Sequence, residues 1–255
     1  MAYGDVKVLV VAPHPDDEAL GAGIWLHRHR KEDLHILHVT DGSPRDLGEA
    51  HARGLTSRRA YAALRRKEFL CSLPLLAVPP SHCFQMSIVD KETYLHLPSV
   101  VGKISALIAK LQPDRVFAPT YEGGHPDHDS AALAVSVARR RGASFEHIEF
   151  PLYRAGKGGA MVTQTFLPNA RKRGNANDEE ILTLSAGERK RKKRILDCHV
   201  SQSEMLLHFE LDGEPLRHAP EYDFTKPPHP GRLLYEIWNW GISGEEWRER
   251  AAAVL

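Results

Sequence analysis

Residues 8 to 12, Val-Leu-Val-Val-Ala, form an unbroken apolar run that leads, through Pro13, into one imidazole and three carboxylates: His14-Pro15-Asp16-Asp17-Glu18. A short run with no polar alternation reads as a strand buried on both faces, the kind that parallel sheets contain. The polar cluster then sits at the strand's carboxyl end and leads through Gly21, Ala22 and Gly23 into a helix. In open α/β sheets ligands bind at that edge, because the loops diverge there and leave a crevice. Three neighbouring carboxylates repel one another unless a positive charge lies among them, and a metal ion is the economical candidate.

The rest of the chain keeps the strand and helix alternation. A helix is expected over 19–31 and a strand over Leu34 to Thr40, stopped by Asp41-Gly42. Residues 43–56 are polar and read as a loop or short helix over the crevice. Ser57 to Leu73 has helical spacing, with Pro74 expected to close it and Leu75 to Val78 to form a short third strand. Pro98 to Leu111 is amphipathic, and Arg115 to Pro119 is another buried strand. That strand opens into a second cluster, Gly124-His125-Pro126-Asp127-His128, followed by an Ala-rich helix. Phe145 to Tyr153 reads as a strand, 155–178 as a loop or hairpin flap, and Ser185-Ala186-Gly187-Glu188 as a capping box opening a helix to Val200. The basic run Arg189 to Arg194 reads as a solvated helix face. The expected fold is α/β: a Rossmann-like, mostly parallel sheet flanked by helices, with the active site at the carboxyl edge. One domain over 1–255 is expected, with the proline- and aromatic-rich segment 209–255 packed on it.

A net charge of +1 predicts neither nucleic-acid binding nor attraction to a membrane surface. The first residues lack a basic leader, and no apolar stretch approaches the roughly 18 residues of a membrane helix, so a cytoplasmic protein is expected. Cys71, Cys83 and Cys198 are widely spaced and read as free thiols. Self-association is left open.

A catalytic zinc ion takes three protein ligands and keeps a position for water. His14 and Asp17 with one histidine of the second cluster would supply two imidazoles and a carboxylate. Of His125 and His128, the one not on the metal is free to act as a donor, with Asp127 to hold it in its charged form. Asp16, beside a ligand but not needed as one, is placed to take a proton from water. These parts suffice to hydrolyse an amide.

The stretch Ala12 to Glu18 (APHPDDE) and Gly124 to His128 (GHPDH) resemble the paired signatures of the PIG-L / LmbE-like zinc-dependent N-deacetylases. Cys198-His199-Val200-Ser201-Gln202 is similar to that family's H-x-S-Q helix end and extends the likeness over most of the chain. The resemblance implies a hydrolase that removes acetyl or other acyl groups from the nitrogen of amino sugars or glycoconjugates. It implies His14, Asp17 and His128 as ligands of one Zn2+ per chain, although the same set accepts iron or cobalt. It further implies Asp16 as general base, His125 as oxyanion or leaving-group partner, and Asp127 as the residue that orients it. Arg53, after the second strand, and Tyr121, before the second cluster, are the candidates for holding the sugar. No counterpart of the eukaryotic members' membrane anchor is expected, so a membrane glycolipid is not the expected substrate. The segment Asp223 to Gly231 departs from better-known members and is expected to shape a different acceptor pocket. Two other readings stand beside this one: a non-catalytic sugar- or nucleotide-binding protein, against which the missing GxGxxG weighs, and a metallohydrolase of another bond such as a phosphoester.

Overall fold

The computed structural model describes residues 6–167 and 179–255. In chain order the elements are β1 (Lys7–Ala12), α1 (Asp17–Arg28), β2 (Asp33–Thr40), α2 (Gly48–Ala52), α3 (Arg58–Leu76), β3 (Cys83–Ile88), α4 (Leu97–Leu111), β4 (Arg115–Pro119), α5 (Pro126–Arg140), β5 (Glu146–Phe150), β6 (Tyr153–Ala155), β7 (Met161–Thr163), β8 (Glu180–Thr183), α6 (Ala186–Leu196), α7 (Ser203–Leu206), β9 (Gly213–His218), α8 (Leu234–Ile237) and α9 (Gly244–Ala252). The main sheet runs β3-β2-β1-β4-β5-β9-β8. The five strands β1 to β5 are mutually parallel, and β9 and β8 add an antiparallel edge.

The apolar run of β1 explains its central place. Val8 and Val10 face one core with α1, α3 and α6, while Leu9 and Val11 face a second core with α4 and α5. Every residue from Val8 to Ala12 is fully buried, and burying such a side chain contributes about 1.5–3 kcal/mol. Strand order reverses between β1 and β4, and a crevice opens outside the carboxyl ends of two strands at such a reversal. The two polar clusters follow these two strands.

Several local expectations need correction. Helix α3 does not stop at Pro74 but continues to Leu76, ending at Ala77 with φ 61°. Pro74 lies in the last turn, where it forfeits only the bond to the Leu70 carbonyl, and the burial of Leu73 and Leu76 outweighs that loss. Leu75 to Val78 is therefore not the third strand, which is Cys83–Ile88. As an edge strand with half-buried residues it carries no apolar run. The strand expected over 145–153 is split at Pro151, and Tyr153 starts the β6–β7 hairpin. The remainder of the expected flap, 168–178, lies outside the described residues. The capping box is as expected: Ser185 Oγ accepts from the Glu188 amide at 3.4 Å, and Glu188 accepts from the Ser185 amide at 2.9 Å. The helix it opens ends at Leu196, short of Val200. The C-terminal segment is more than a packed rim, because β9 is hydrogen-bonded between β5 and β8.

The basic run is not wholly a solvated face either. Lys192 is fully buried, and its Nζ donates to Glu214 Oε1 at 2.5 Å and to the Leu20 carbonyl at 2.6 Å. Glu214 in turn accepts from the amides of Ile24 (2.7 Å) and Trp25 (2.8 Å). Helix α1 is broken at Ala22, whose φ is −144°. The ion pair is thus inserted where the Ile24 amide would otherwise meet the Leu20 carbonyl, and it satisfies both groups. Among the described residues no helix is long and apolar enough to cross a membrane.

Candidate metal centre

The loop after β1 turns tightly so that Asp17 can begin α1, and the strain falls on Asp16, a non-glycine residue at φ 130°. The turn is closed by the His14 amide donating to Asp17 Oδ2 at 2.8 Å. The second cluster needs no strain. His125 is the N-cap of α5, its Nδ1 accepting from the Asp127 amide at 3.1 Å, and His128 lies in the helix's first turn.

Three ligand-type atoms converge from the two loops. His14 Nδ1 lies 3.1 Å from Asp17 Oδ2 and 3.3 Å from His128 Nε2, and His128 Nε2 lies 3.5 Å from Asp17 Oδ2. A tetrahedral ion with ligands at about 2.0–2.1 Å has ligand-to-ligand edges of about 3.3–3.4 Å, so the triangle has the size such an ion requires. The outer nitrogen of His14, Nε2, lies 3.1 Å from both Asp127 Oδ2 and Asp90 Oδ1. Holding the proton at Nε2 leaves the Nδ1 lone pair free toward the centre. All three residues are buried. Two neutral imidazoles and a carboxylate aimed at one buried point fit zinc or a similar divalent transition ion.

Burial works to lower the His14 imidazole, but Asp90, Asp127 and Asp17 outweigh it and hold the ring well above its usual range, so a metal taken up at Nδ1 displaces a proton. Burial works to raise the Asp17 carboxyl, but the His128 and His14 imidazoles outweigh it and hold the group well below the usual carboxylate range. Asp90 behaves the same way, with burial opposed by His14 and His125. Asp16 goes the other way: burial pushes it well above its usual range, and the Arg65 guanidinium offsets only part of that. Arg65 Nη2 donates to Asp16 Oδ2 at 3.0 Å and to the Pro15 carbonyl at 2.7 Å, and Nη1 donates to the Gly42 carbonyl at 2.8 Å. Gly42 must lack a side chain here, since it has φ 65° and a Cβ would meet Arg65 Cζ at 2.8 Å. Behind this layer Glu18 takes a 3.0 Å contact from His38 Nε2, and His38 with His199 holds Glu18 low against its burial.

A cavity of about 80 Å³ opens onto these groups, with His14, Asp16, Asp17, Asp90 and His125 in its wall. The two sugar-holding candidates do not reach it. Arg53 donates to the Ser201 carbonyl at 3.0 Å and is not part of the lining. Tyr121 is buried in the opposite core against Phe224 and Trp247, its hydroxyl donating to the Lys226 carbonyl at 2.8 Å. The cavity's cations are Arg65 and Lys91, and its tyrosine is Tyr153. Tyr153 is brought in by a close approach of β6, because a Cβ on Gly124 would lie 1.7 Å from the Tyr153 carbonyl oxygen.

Asp127 also has a different chief partner from the expected one. Its Oδ2 is 3.1 Å from His14 Nε2 but 3.7 Å from His125 Nδ1. Since His125 Nδ1 accepts a backbone hydrogen bond, its ring proton sits on Nε2, which faces Asp90 Oδ1 at 3.4 Å. Sequence reasoning missed Asp90, Lys91, Arg65 and Tyr153. A His-Pro-Asp pattern marks the ligands, whereas these four are isolated residues with no local signal.

The family described as PIG-L, GlcNAc-PI de-N-acetylase, matches residues 9–139, a stretch that holds both clusters. Among curated proteins, the probable N-acetyl-alpha-D-glucosaminyl L-malate deacetylase 2 of Bacillus cereus is 28% identical over 52% of this chain and 61% of its own length. The diacetylchitobiose deacetylase of Thermococcus kodakarensis is 33% identical over 53% of this chain and 52% of its own. The chain thus spans about half to three-fifths of the length of these relatives. Among solved structures, a deacetylase of teicoplanin biosynthesis superposes with TM-score 0.65 at 18% identity, covering 85% of this chain and all of that one, which bears on the fold alone. Because the matching stretch takes in just over half of the 255 residues, with most of β1, all of β4 and both clusters inside it, the chain belongs to the PIG-L family.

Proposed function

We propose that this chain is a metal-dependent N-deacetylase that removes a small acyl group from the nitrogen of an amino sugar or its conjugate. The triangle of His14 Nδ1, Asp17 Oδ2 and His128 Nε2 carries the reading, since its edges of 3.1 to 3.5 Å match the coordination shell of a zinc-like ion. A divalent ion held there supplies Lewis acidity and eases the deprotonation of water.

The protein groups divide the remaining work. Asp16, pinned by Arg65, takes the proton as water attacks the carbonyl carbon. The Nε2–H of His125 donates to the oxygen on which negative charge develops. When the carbon–nitrogen bond breaks, Asp16 returns its proton to the departing nitrogen, giving a carboxylic acid and an amine. Asp127 accepts from the outer nitrogen of His14 and so fixes the orientation of the ring, with the Asp90 carboxylate beside it. Tyr153, which burial keeps in the phenol form, offers a further donor from the cavity wall. At about 80 Å³ the cavity has room for an acetyl-sized group, given that one water occupies about 30 Å³, and the sugar itself lies largely outside.

The test pairs elemental analysis with a screen of N-acetylated sugars and sugar conjugates for amine release, after chelation and zinc restoration. About one equivalent of metal per chain, lost in His128→Ala, with zinc-restored amine release, is the expected result. Metal-loaded protein that releases phosphate from phosphoesters but no amine from any N-acyl sugar would overturn the reading.

A further inference from the structure

A second and larger cavity, of about 610 Å³, adjoins the candidate centre across strand β6. Tyr153 lines the catalytic cavity, while the next two residues of the strand, Arg154 and Ala155, line this one. The end of α8 and the residues after it also touch both, Ile237 lining this cavity and Trp240 the catalytic one. The floor is the glycine-rich turn between β6 and β7, and the far wall is His229, Pro230, Gly231 and Arg232. That wall is the end of the proline-rich segment expected to shape an acceptor pocket.

Among the described residues the lining contains Arg154, Lys157, His229 and Arg232, and no Asp or Glu. Among the described residues none of these four forms an ion pair within 4.0 Å. Arg154 reaches only the Ala155 carbonyl and the Thr165 hydroxyl, both at 3.4 Å, and its buried Nε has no partner. Arg232 donates to the Glu236 carbonyl at 2.6 Å. His229 Nδ1 lies 2.9 Å from the Pro230 carbonyl, and its buried Nε2 has no partner. Arg154, Lys157 and Arg232 thus keep cationic donors that no carboxylate of the described residues takes up, and a basic lining of this kind favours an anion. The volume lies within the roughly 300–1,000 Å³ typical of small-molecule sites.

We propose that this cavity is an oxyanion subsite, holding a phosphate or carboxylate group carried by the substrate on the side away from its acylated nitrogen. Guanidinium groups bind both oxyanions through paired N–H donors, and the exposed Lys157 adds a point charge at the rim. The substrate class follows: an anionic amino-sugar conjugate with its acyl group in the small cavity and its charged group in the large one. That last step rests on the deacetylase reading, whereas anion binding by the cavity does not.

Two measurements test it. Calorimetric titration of the metal-loaded protein with inorganic phosphate should show binding that weakens roughly tenfold in Arg154→Gln and measurably in the surface variant Lys157→Gln. Succinate in a parallel titration tells a carboxylate site from a phosphate site. Phosphate bound at the metal alone would be insensitive to both variants, and that result, or no heat up to about 10 mM phosphate, would overturn the subsite. In turnover, N-acetylglucosamine 1-phosphate should be preferred over N-acetylglucosamine, with the preference falling roughly tenfold in Arg154→Gln. Equal turnover of the two sugars in both proteins counts against the subsite and leaves deacetylation standing. Turnover of neither sugar, with variant-sensitive phosphate binding, removes deacetylation of these sugars and keeps the subsite.

Discussion

The two His-Pro-Asp clusters look alike on paper and are built differently. The first follows β1 through a strained turn, with Asp16 at φ 130°, and depends on Arg65 from α3 to hold that residue. The second begins α5 without strain and is held by the loop after β3, whose Lys91 and Thr93 amides and Thr93 hydroxyl donate to Asp127. Their surplus acids differ as well. Glu18 is held low by His38 and His199 against its burial, whereas Asp129 meets only the Glu122 and Gly123 amides, and burial pushes it up to about 7. Strain and a cation therefore collect at the cluster proposed to move protons. The other cluster is ordinary helix-start geometry that presents a ligand.

The sharpest way to break this division is Asp16→Ala. It should lower turnover by roughly 10²–10⁴ with metal content unchanged, as loss of a general base does. Equal loss of metal would place Asp16 among the ligands and erase the contrast. Asp127→Asn probes the other side: acting through His14, it should weaken metal affinity by roughly 10–100-fold, read by competition with a chelator. A metal affinity matching the wild type, with only activity lost, would move Asp127 into the proton-handling group.

A pH series then asks whether acid sensitivity resides in the clusters or behind them. His147 on β5 has its imidazole pushed down to about 3, chiefly by burial and secondarily by the Arg139 charge. The unfolded chain binds that proton below about 6.5, the folded chain only near 3, so its contribution is complete above pH 6.5 and is lost as pH falls. The loss should approach about 1.4 kcal/mol per pH unit, and urea midpoints at successive pH values in wild type and His147→Gln should show the slope shrink. An unchanged slope would return the acid sensitivity to the clusters. Lys193→Ala sets the zero of the scale, since its exposed pair with Asp197 should be worth less than about 0.5 kcal/mol by chemical denaturation.

The sequence makes the site legible wherever the signal is local. The buried run of β1, the two clusters and the Ser185 to Glu188 capping box are all set by neighbours within a few residues. Asp90, Arg65 and Tyr153 were not legible, because each joins the centre through a contact made only after the sheet has formed. Lys192 misled for the same reason: a lysine in a basic run looks solvated until Glu214, 22 residues later, is folded against it. Tyr121 and Arg53 show the converse, as a place just before the second cluster or in the segment after β2 did not bring them into the cavity.

The salt bridge inserted into α1 limits how the protein can be divided. A fragment ending at residue 139 would retain His14, Asp17 and His128 but lack Lys192 and Glu214, leaving the Leu20 carbonyl and the Ile24 and Trp25 amides buried without their acceptor and donor. The half that carries the proposed chemistry is thus not a portable module. Dissection, domain fusion or permutation of this chain must keep β9 and α6 with it, or the helix that presents Asp17 loses its middle.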